Sequence, residues 1–114
     1  MHNKELLKGT LTAIVLKLLA DKGEMYGYEL AQKVKEMSGQ KILLKDGSLY
    51  PALHKLSKEG WLEFREEHIG KRVRKYYSLT ATGIAQEKIE SENLKEFMRT
   101  LKDLLFPDFT FKLA

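Results

Sequence analysis

The most pointed chemistry in the chain lies at Lys71, Arg72, Arg74, Lys75 and Tyr76, where four cations occupy five positions without an acid and a phenol follows. Arginine binds phosphate oxygens in bidentate fashion, and a tyrosine hydroxyl adds a further hydrogen bond. On a strand, Arg72, Arg74 and Tyr76 alternate onto one side and Val73, Lys75 and Tyr77 onto the other. Val73 and Tyr77 are expected inward, with Lys75 near the rim. A second polar set lies at residues 46–60, DGSLYPALHKLSKEG. Leu49, Leu53 and Leu56 step by four and three and form one edge of a short helix, leaving Tyr50, His54, Lys55 and Lys58 off that stripe. Ser48 is read as its N-cap, with Pro51 in the first turn and Gly60 as a left-handed close. Each set has a plainer reading: a strand kept soluble by charge and an ordinary surface helix. The nearby acids Glu59, Glu63, Glu66 and Glu67 must point away from any phosphate for the interface reading to hold.

Other chemistries find no support. The chain has no cysteine, which excludes disulfides, thiolate metal sites and a cysteine nucleophile. His2, His54 and His68 are scattered, with no HExxH spacing, so no metal site is expected. No Ser/His/acid set and no glycine-rich phosphate loop is present, so neither catalysis nor a cofactor is expected. No apolar run approaches the roughly 20 residues that cross a bilayer, and the N-terminus lacks a signal-peptide layout. A cytoplasmic protein without a membrane role is the expectation. The net charge of +4 and pI of about 9.2 are a mild basic bias, so placement matters more than the total.

The elements that would position these groups follow from periodicity. Residues 4–21 read as a helix with Leu6, Leu7, Leu11, Ile14, Val15, Leu18 and Leu19 on one broad face. Residues 27–37 read as a second helix burying Tyr28, Leu30, Ala31 and Val34. Residues 41–45 are a brief strand or extended linker. After the helix at 46–60, strands are predicted at 61–68 and 72–79, joined by a loop at 69–71. Leu62, Phe64 and Trp61 are expected to anchor the first strand. Thr80 would cap a long helix over 81–105, with Gly83 a mild cost in its first turn and Pro107 just past its end. Ile84, Ala85 and Ile89 are expected to cover the domain. Leu94, Phe97, Met98, Leu101, Leu104 and Leu105 then form a stripe stepping by three and four. Too little chain remains to cover this stripe, so it is read as a dimer interface; the alternative is a helix folded back on its own core. Phe106, Phe109 and Phe111 extend the apolar character into the tail.

This order gives a mainly α fold with a small β-hairpin: a winged helix-turn-helix domain over 1–80, followed by a C-terminal dimerisation helix and tail over 81–114. In that arrangement the third helix enters the major groove, the hairpin lies along the backbone or minor groove, and Tyr26 touches backbone beside the second helix.

Three blocks carry a resemblance: YGYEL at 26–30, GSLYPALHKLSKEGWL at 47–62 and RKYYSLTATG at 74–83. In this order they resemble the PadR-like transcriptional regulators, in their smaller branch with one long C-terminal helix. The resemblance implies a homodimeric repressor that binds double-stranded DNA at a palindromic operator. By motif position it places Ser48, Tyr50, Pro51, His54 and Lys55 on the recognition helix, and Arg72, Arg74, Lys75 and Tyr76 on the wing. Some relatives bind flat aromatic compounds at the dimer interface against a tryptophan of the last helix. That helix has none here, and Trp61 begins the first hairpin strand. A hydrophobic or phenolic effector that releases DNA is a further layer on this reading. The rival is a winged-helix protein-interaction module that uses the basic face and the aromatic tail.

Overall fold

The computed structural model describes residue 7 and residues 9–110. Its core is built from leucines at helical spacing. Leu11, Val15, Leu16, Leu18 and Leu19 line one face of the first helix, α1 (Leu11–Lys22). The expected continuous helix over 4–21 is interrupted: Leu7 is helical, but Gly9 and Thr10 turn. The Thr10 hydroxyl and amide both donate to the Leu7 carbonyl, at 3.1 and 3.0 Å, which offers the chain a local alternative to helix. Leu6 lies outside the described residues.

Gly23, at φ 89°, ends α1 and leads into β1 (Glu24–Tyr26), a strand that the periodicity did not predict. Three residues are too few to show alternation; β1 exists because β3 pairs with it. The next helix, α2 (Gly27–Met37), begins with Glu29 accepting from the Tyr26 amide at 3.1 Å. It buries Gly27, Leu30 and Val34. Tyr28, expected in the core, lies off that stripe and is 62% exposed. Residues 41–45 form neither helix nor strand; Leu44 is buried and Lys45 is extended.

The third helix, α3 (Asp46–Lys58), starts earlier than the sequence suggests. Lys45 is the extended cap residue, and its carbonyl accepts from the Ser48 and Leu49 amides at 3.0 and 2.9 Å. Ser48 therefore sits within the first turn and makes no cap bond. Pro51 falls inside the helix, where it withholds an amide from the Gly47 carbonyl. Leu49, Leu53 and Leu56 are all fully buried, and this offsets the lost bond.

The strands β2 (Leu62–Ile69) and β3 (Arg72–Leu79) pair antiparallel from Leu62↔Leu79 to Ile69↔Arg72, with β3 central in the order β1-β3-β2. Gly70 at φ 61° fills the first position of the two-residue turn, where a positive φ favours glycine. Only the base of the hairpin packs on the helices. Leu62 and Tyr77 are buried and Trp61 is half-buried, but Phe64 and Val73, predicted inward, are about half exposed. Phe64 lies opposite buried Tyr77 but on the edge strand β2, and Val73 lies near the hairpin turn, so each keeps about half its surface exposed.

The last helix, α4 (Ala81–Leu105), is anchored at its start. The Thr80 hydroxyl accepts from the Gly83 amide at 3.0 Å and donates to the Gly60 carbonyl at 2.6 Å, while the Thr80 amide donates to the Trp61 carbonyl at 3.1 Å. A Cβ on Gly83 would overlap that same carbonyl oxygen, so the glycine is a requirement of close approach rather than a mild cost. These contacts set the rotation of α4, which presents Gly83, Gln86, Glu87, Glu90 and Leu94 to the domain. Ile84, Ala85 and Ile89, expected to cover it, are exposed instead. The second half of α4 projects. The radius of gyration is 15.5 Å, against about 13 Å for a compact chain of this length.

Candidate nucleic-acid interface

The polar edge of α3, the start of α2 and the hairpin face one another across an open groove of about 890 Å³. Tyr26, Tyr50, His54, Arg72, Arg74 and Lys75 line it together, so six of the predicted contacts share one concave surface. Ser48, Pro51 and Lys55 are exposed on α3 outside this lining, Lys71 is exposed in the turn, and Tyr76 is half-buried on the outer side of the sheet. Gly27, Tyr28 and Glu66 also line the wall; Tyr28 was expected in the core, Glu66 was expected to point away, and Gly27 was not singled out from the sequence. The YGYEL block was the available signal for Gly27 and Tyr28.

Gly27 explains how α2 and α3 fit at the groove. A Cβ there would fall 2.6 Å from the Tyr50 hydroxyl and 2.8 Å from the ring. The ring of Tyr50 thus rests on bare backbone, which aims a half-exposed phenol from α3 into the groove. Tyr77 lies beneath. Its hydroxyl pKa is raised, first by burial and then by the neighbouring Tyr50, so it stays neutral.

The outer face of the sheet carries an ordered array of rings and guanidiniums. Tyr26 packs edge-on against Tyr76 with centroids 5.4 Å apart and stacks with Tyr28 at 6.3 Å. Arg74 lies 4.0 Å over the Tyr26 ring, and its Nη1 donates to the Tyr76 hydroxyl at 3.3 Å. Arg65 lies 4.4 Å over the Tyr76 ring and binds Glu24 through two bonds of 2.9 and 2.8 Å and Glu67 through one of 3.1 Å. The guanidinium hydrogen bonds pull the Glu24 carboxyl below its ordinary 4.5, and the two carboxylates raise the Arg65 pKa. The Arg74 pKa is also raised, chiefly by its bond to Tyr76. On the inner face, Lys75 lies 4.5 Å over the Phe64 ring, and Glu66 is its register partner.

The acids thus divide. Glu24 and Glu67 are taken up by Arg65, whereas Glu66 remains in the groove wall, against the expectation that every nearby acid points away. Arg72 and Lys71 are exposed, and no carboxylate bonds them among the described residues. No group of three or more His, Asp or Glu that could hold a metal ion occurs among the described residues.

A helix-turn-helix pair joined to a basic hairpin and a long terminal helix makes this a winged helix-turn-helix protein. The family model of the PadR-like transcriptional regulators matches residues 15–89. A Bacillus subtilis relative, "Negative transcriptional regulator PadR", is 39% identical over 66 residues; the match covers 57% of this chain and 36% of that protein. A Lysinibacillus sphaericus protein of undescribed function is 31% identical over 88 residues, or 75% of this chain and 78% of that one. Among solved structures, a PadR family transcriptional regulator from Eggerthella lenta superposes with a TM-score of 0.78 at 27% identity, covering 90% of this chain and 87% of that one. A PadR-like regulator from Bacillus cereus gives 0.74 at 29%, covering 90% and 98%. The chain belongs to the PadR-like family of transcriptional regulators, which are non-enzymatic DNA-binding proteins.

Proposed function

We propose that the chain is a homodimeric repressor of a palindromic operator, with α3 as the recognition helix and the hairpin as the wing. The observation that carries this reading is the groove that gathers Tyr26, Tyr50, His54, Arg72, Arg74 and Lys75 between α2, α3 and the hairpin. Ser48, Tyr50 and Pro51 at the start of α3 hold backbone, and His54 and Lys55 lie one turn on, toward the base edges. Lys71, Arg72, Arg74, Lys75 and Tyr76 supply affinity through phosphate and leave sequence choice to α3. The Bacillus subtilis relative's description as a negative regulator supports repression.

The dimer reading rests on α4. Phe97, Met98, Leu101, Leu104 and Leu105 are all exposed in the single chain, and half-buried Leu94 continues their stripe. Such a contiguous apolar face is costly in water. We assign residues 1–80 to DNA binding and 81–114 to dimerisation; a dimer bound to two half-sites would hold its copies of α3 about one DNA turn, roughly 34 Å, apart. A hydrophobic or phenolic effector that relieves repression in the cytoplasm completes the reading, and a thermal-shift screen against such compounds tests it.

In-vitro sequence selection with the purified protein is the direct test. Enrichment of inverted half-sites about one turn apart is expected. Recovery of no enriched duplex at low salt refutes the regulator reading. Leu101→Asp is expected to give monomers by analytical ultracentrifugation, and an unchanged dimer removes α4 from the interface.

A further inference from the structure

The wing carries acids among its cations, and the structure shows how they are sorted. Glu67 stands directly opposite Arg74 in the β2–β3 register, where side chains are about 5 Å apart at Cβ and an ion pair is the natural outcome. That pair does not form. Glu67 instead turns along its own strand to Arg65, two residues away, at 3.1 Å. Arg65 also holds Glu24 of β1 in a bidentate bond, so a single guanidinium engages both carboxylates. Arg74 is left without a carboxylate ligand, lying over Tyr26 and tied only to the Tyr76 hydroxyl.

We propose that Arg65 is a positioning residue for DNA binding: by holding Glu24 and Glu67 it keeps the Arg74 guanidinium open to a phosphate. Resting on the regulator reading above, it gives Arg65 a task other than contacting DNA. Its own donors face carboxylates. Its guanidinium plane lies over the Tyr76 ring, whose hydroxyl accepts from Arg74. Without Arg65, Glu67 relaxes onto its register partner and masks the charge. The Arg74 pKa is raised chiefly by the Tyr76 bond and least by Glu67, which fits a carboxylate that is close but not bound.

The test is a cycle of Arg65→Gln, Glu67→Gln and the double variant. Each is titrated by fluorescence anisotropy against the selected duplex over a range of salt. One phosphate contact changes the log–log salt slope by about 0.9, worth about eightfold in affinity at 0.1 M salt. Arg65→Gln is expected to lose that amount per chain. Glu67→Gln alone should stay within about twofold of wild type, because its charge is already engaged. Arg65→Gln with Glu67→Gln should return to within about twofold of wild type, which a residue needed only for folding or for direct phosphate contact would not allow. The proposal is overturned if the double variant stays as weak as Arg65→Gln, or if Glu67→Gln tightens binding equally in both backgrounds. A second readout needs no DNA and so separates this proposal from the regulator reading. The Arg74 Nε–Hε resonance of the free protein should move in Arg65→Gln and return in the double variant; a resonance unmoved by Arg65→Gln overturns the sorting.

Discussion

Arg72→Ala isolates the wing's electrostatic contribution. Arg72 opens β3 opposite Ile69, is exposed, and has no carboxylate bonded to it among the described residues. Its charge is therefore available at no cost of breaking an ion pair. In the proposed dimer the substitution removes one phosphate ligand from each wing. The salt slope of log K then falls by about 1.8, and affinity at 0.1 M salt drops about 60-fold. The loss should be shared by specific and scrambled duplexes, since phosphate contacts position the protein without reading sequence. Fluorescence anisotropy from about 50 to about 300 mM salt measures the slope, well resolved by a change of this size. Arg99→Ala is the charge-matched control. Arg99 is engaged with Glu96 at 3.6 Å on α4, away from the groove, and its loss should leave the slope unchanged. Weaker binding with an unaltered slope, or an equal effect from both variants, would refute the assignment of Arg72 to phosphate.

Three further outcomes follow from the packing and the ion pairs. Gly27→Ala puts a methyl where the Tyr50 ring lies; the ring must swing, so operator affinity should fall severalfold while the melting temperature by circular dichroism moves little. Gly83→Ala would gain about 1 kcal/mol from helix propensity, but its Cβ meets main chain at Trp61, so a net destabilisation of about 1–3 kcal/mol is expected in urea unfolding. A stabilised Gly83→Ala protein would contradict the close approach. The Glu24 carboxyl should titrate below 4.5 by NMR in the wild type and return toward that value in Arg65→Gln. Because its folded pKa is depressed, its contribution to stability is present above the unfolded pKa and is lost as pH falls through the folded one. A Glu24 midpoint unaffected by Arg65→Gln would contradict the bonded pair.

Much of the architecture was legible because it rests on local repeats. Leu49, Leu53 and Leu56 announced the buried edge of α3, alternation announced β3 to the residue, and Thr80 announced the start of α4. The misses turn on surroundings that residue type and spacing do not reveal. Ser48 resembles a cap, yet the Lys45 carbonyl takes the first bonds and α3 begins two residues before Ser48. Tyr28, Phe64 and Val73 are apolar enough for a core, but Tyr28 lies off the buried stripe of α2, Phe64 on the edge strand and Val73 near the hairpin turn. Ile84 and Ile89 lie on the wrong side of α4 because Thr80 and Gly83 set its rotation against Trp61.

By itself the sequence determined the order of the helices and the hairpin, the leucine core, the basic character of β3 and the family likeness. All of these depend on residue type and short-range spacing, through helical and strand periodicity. Only the tertiary structure decided that β1 pairs with β3, that Tyr50 rests on Gly27, and that Arg65 rather than Arg74 holds Glu24 and Glu67. Glu24 and Arg65 are 41 residues apart. No periodicity reaches across that distance, and the order of strands brings them together.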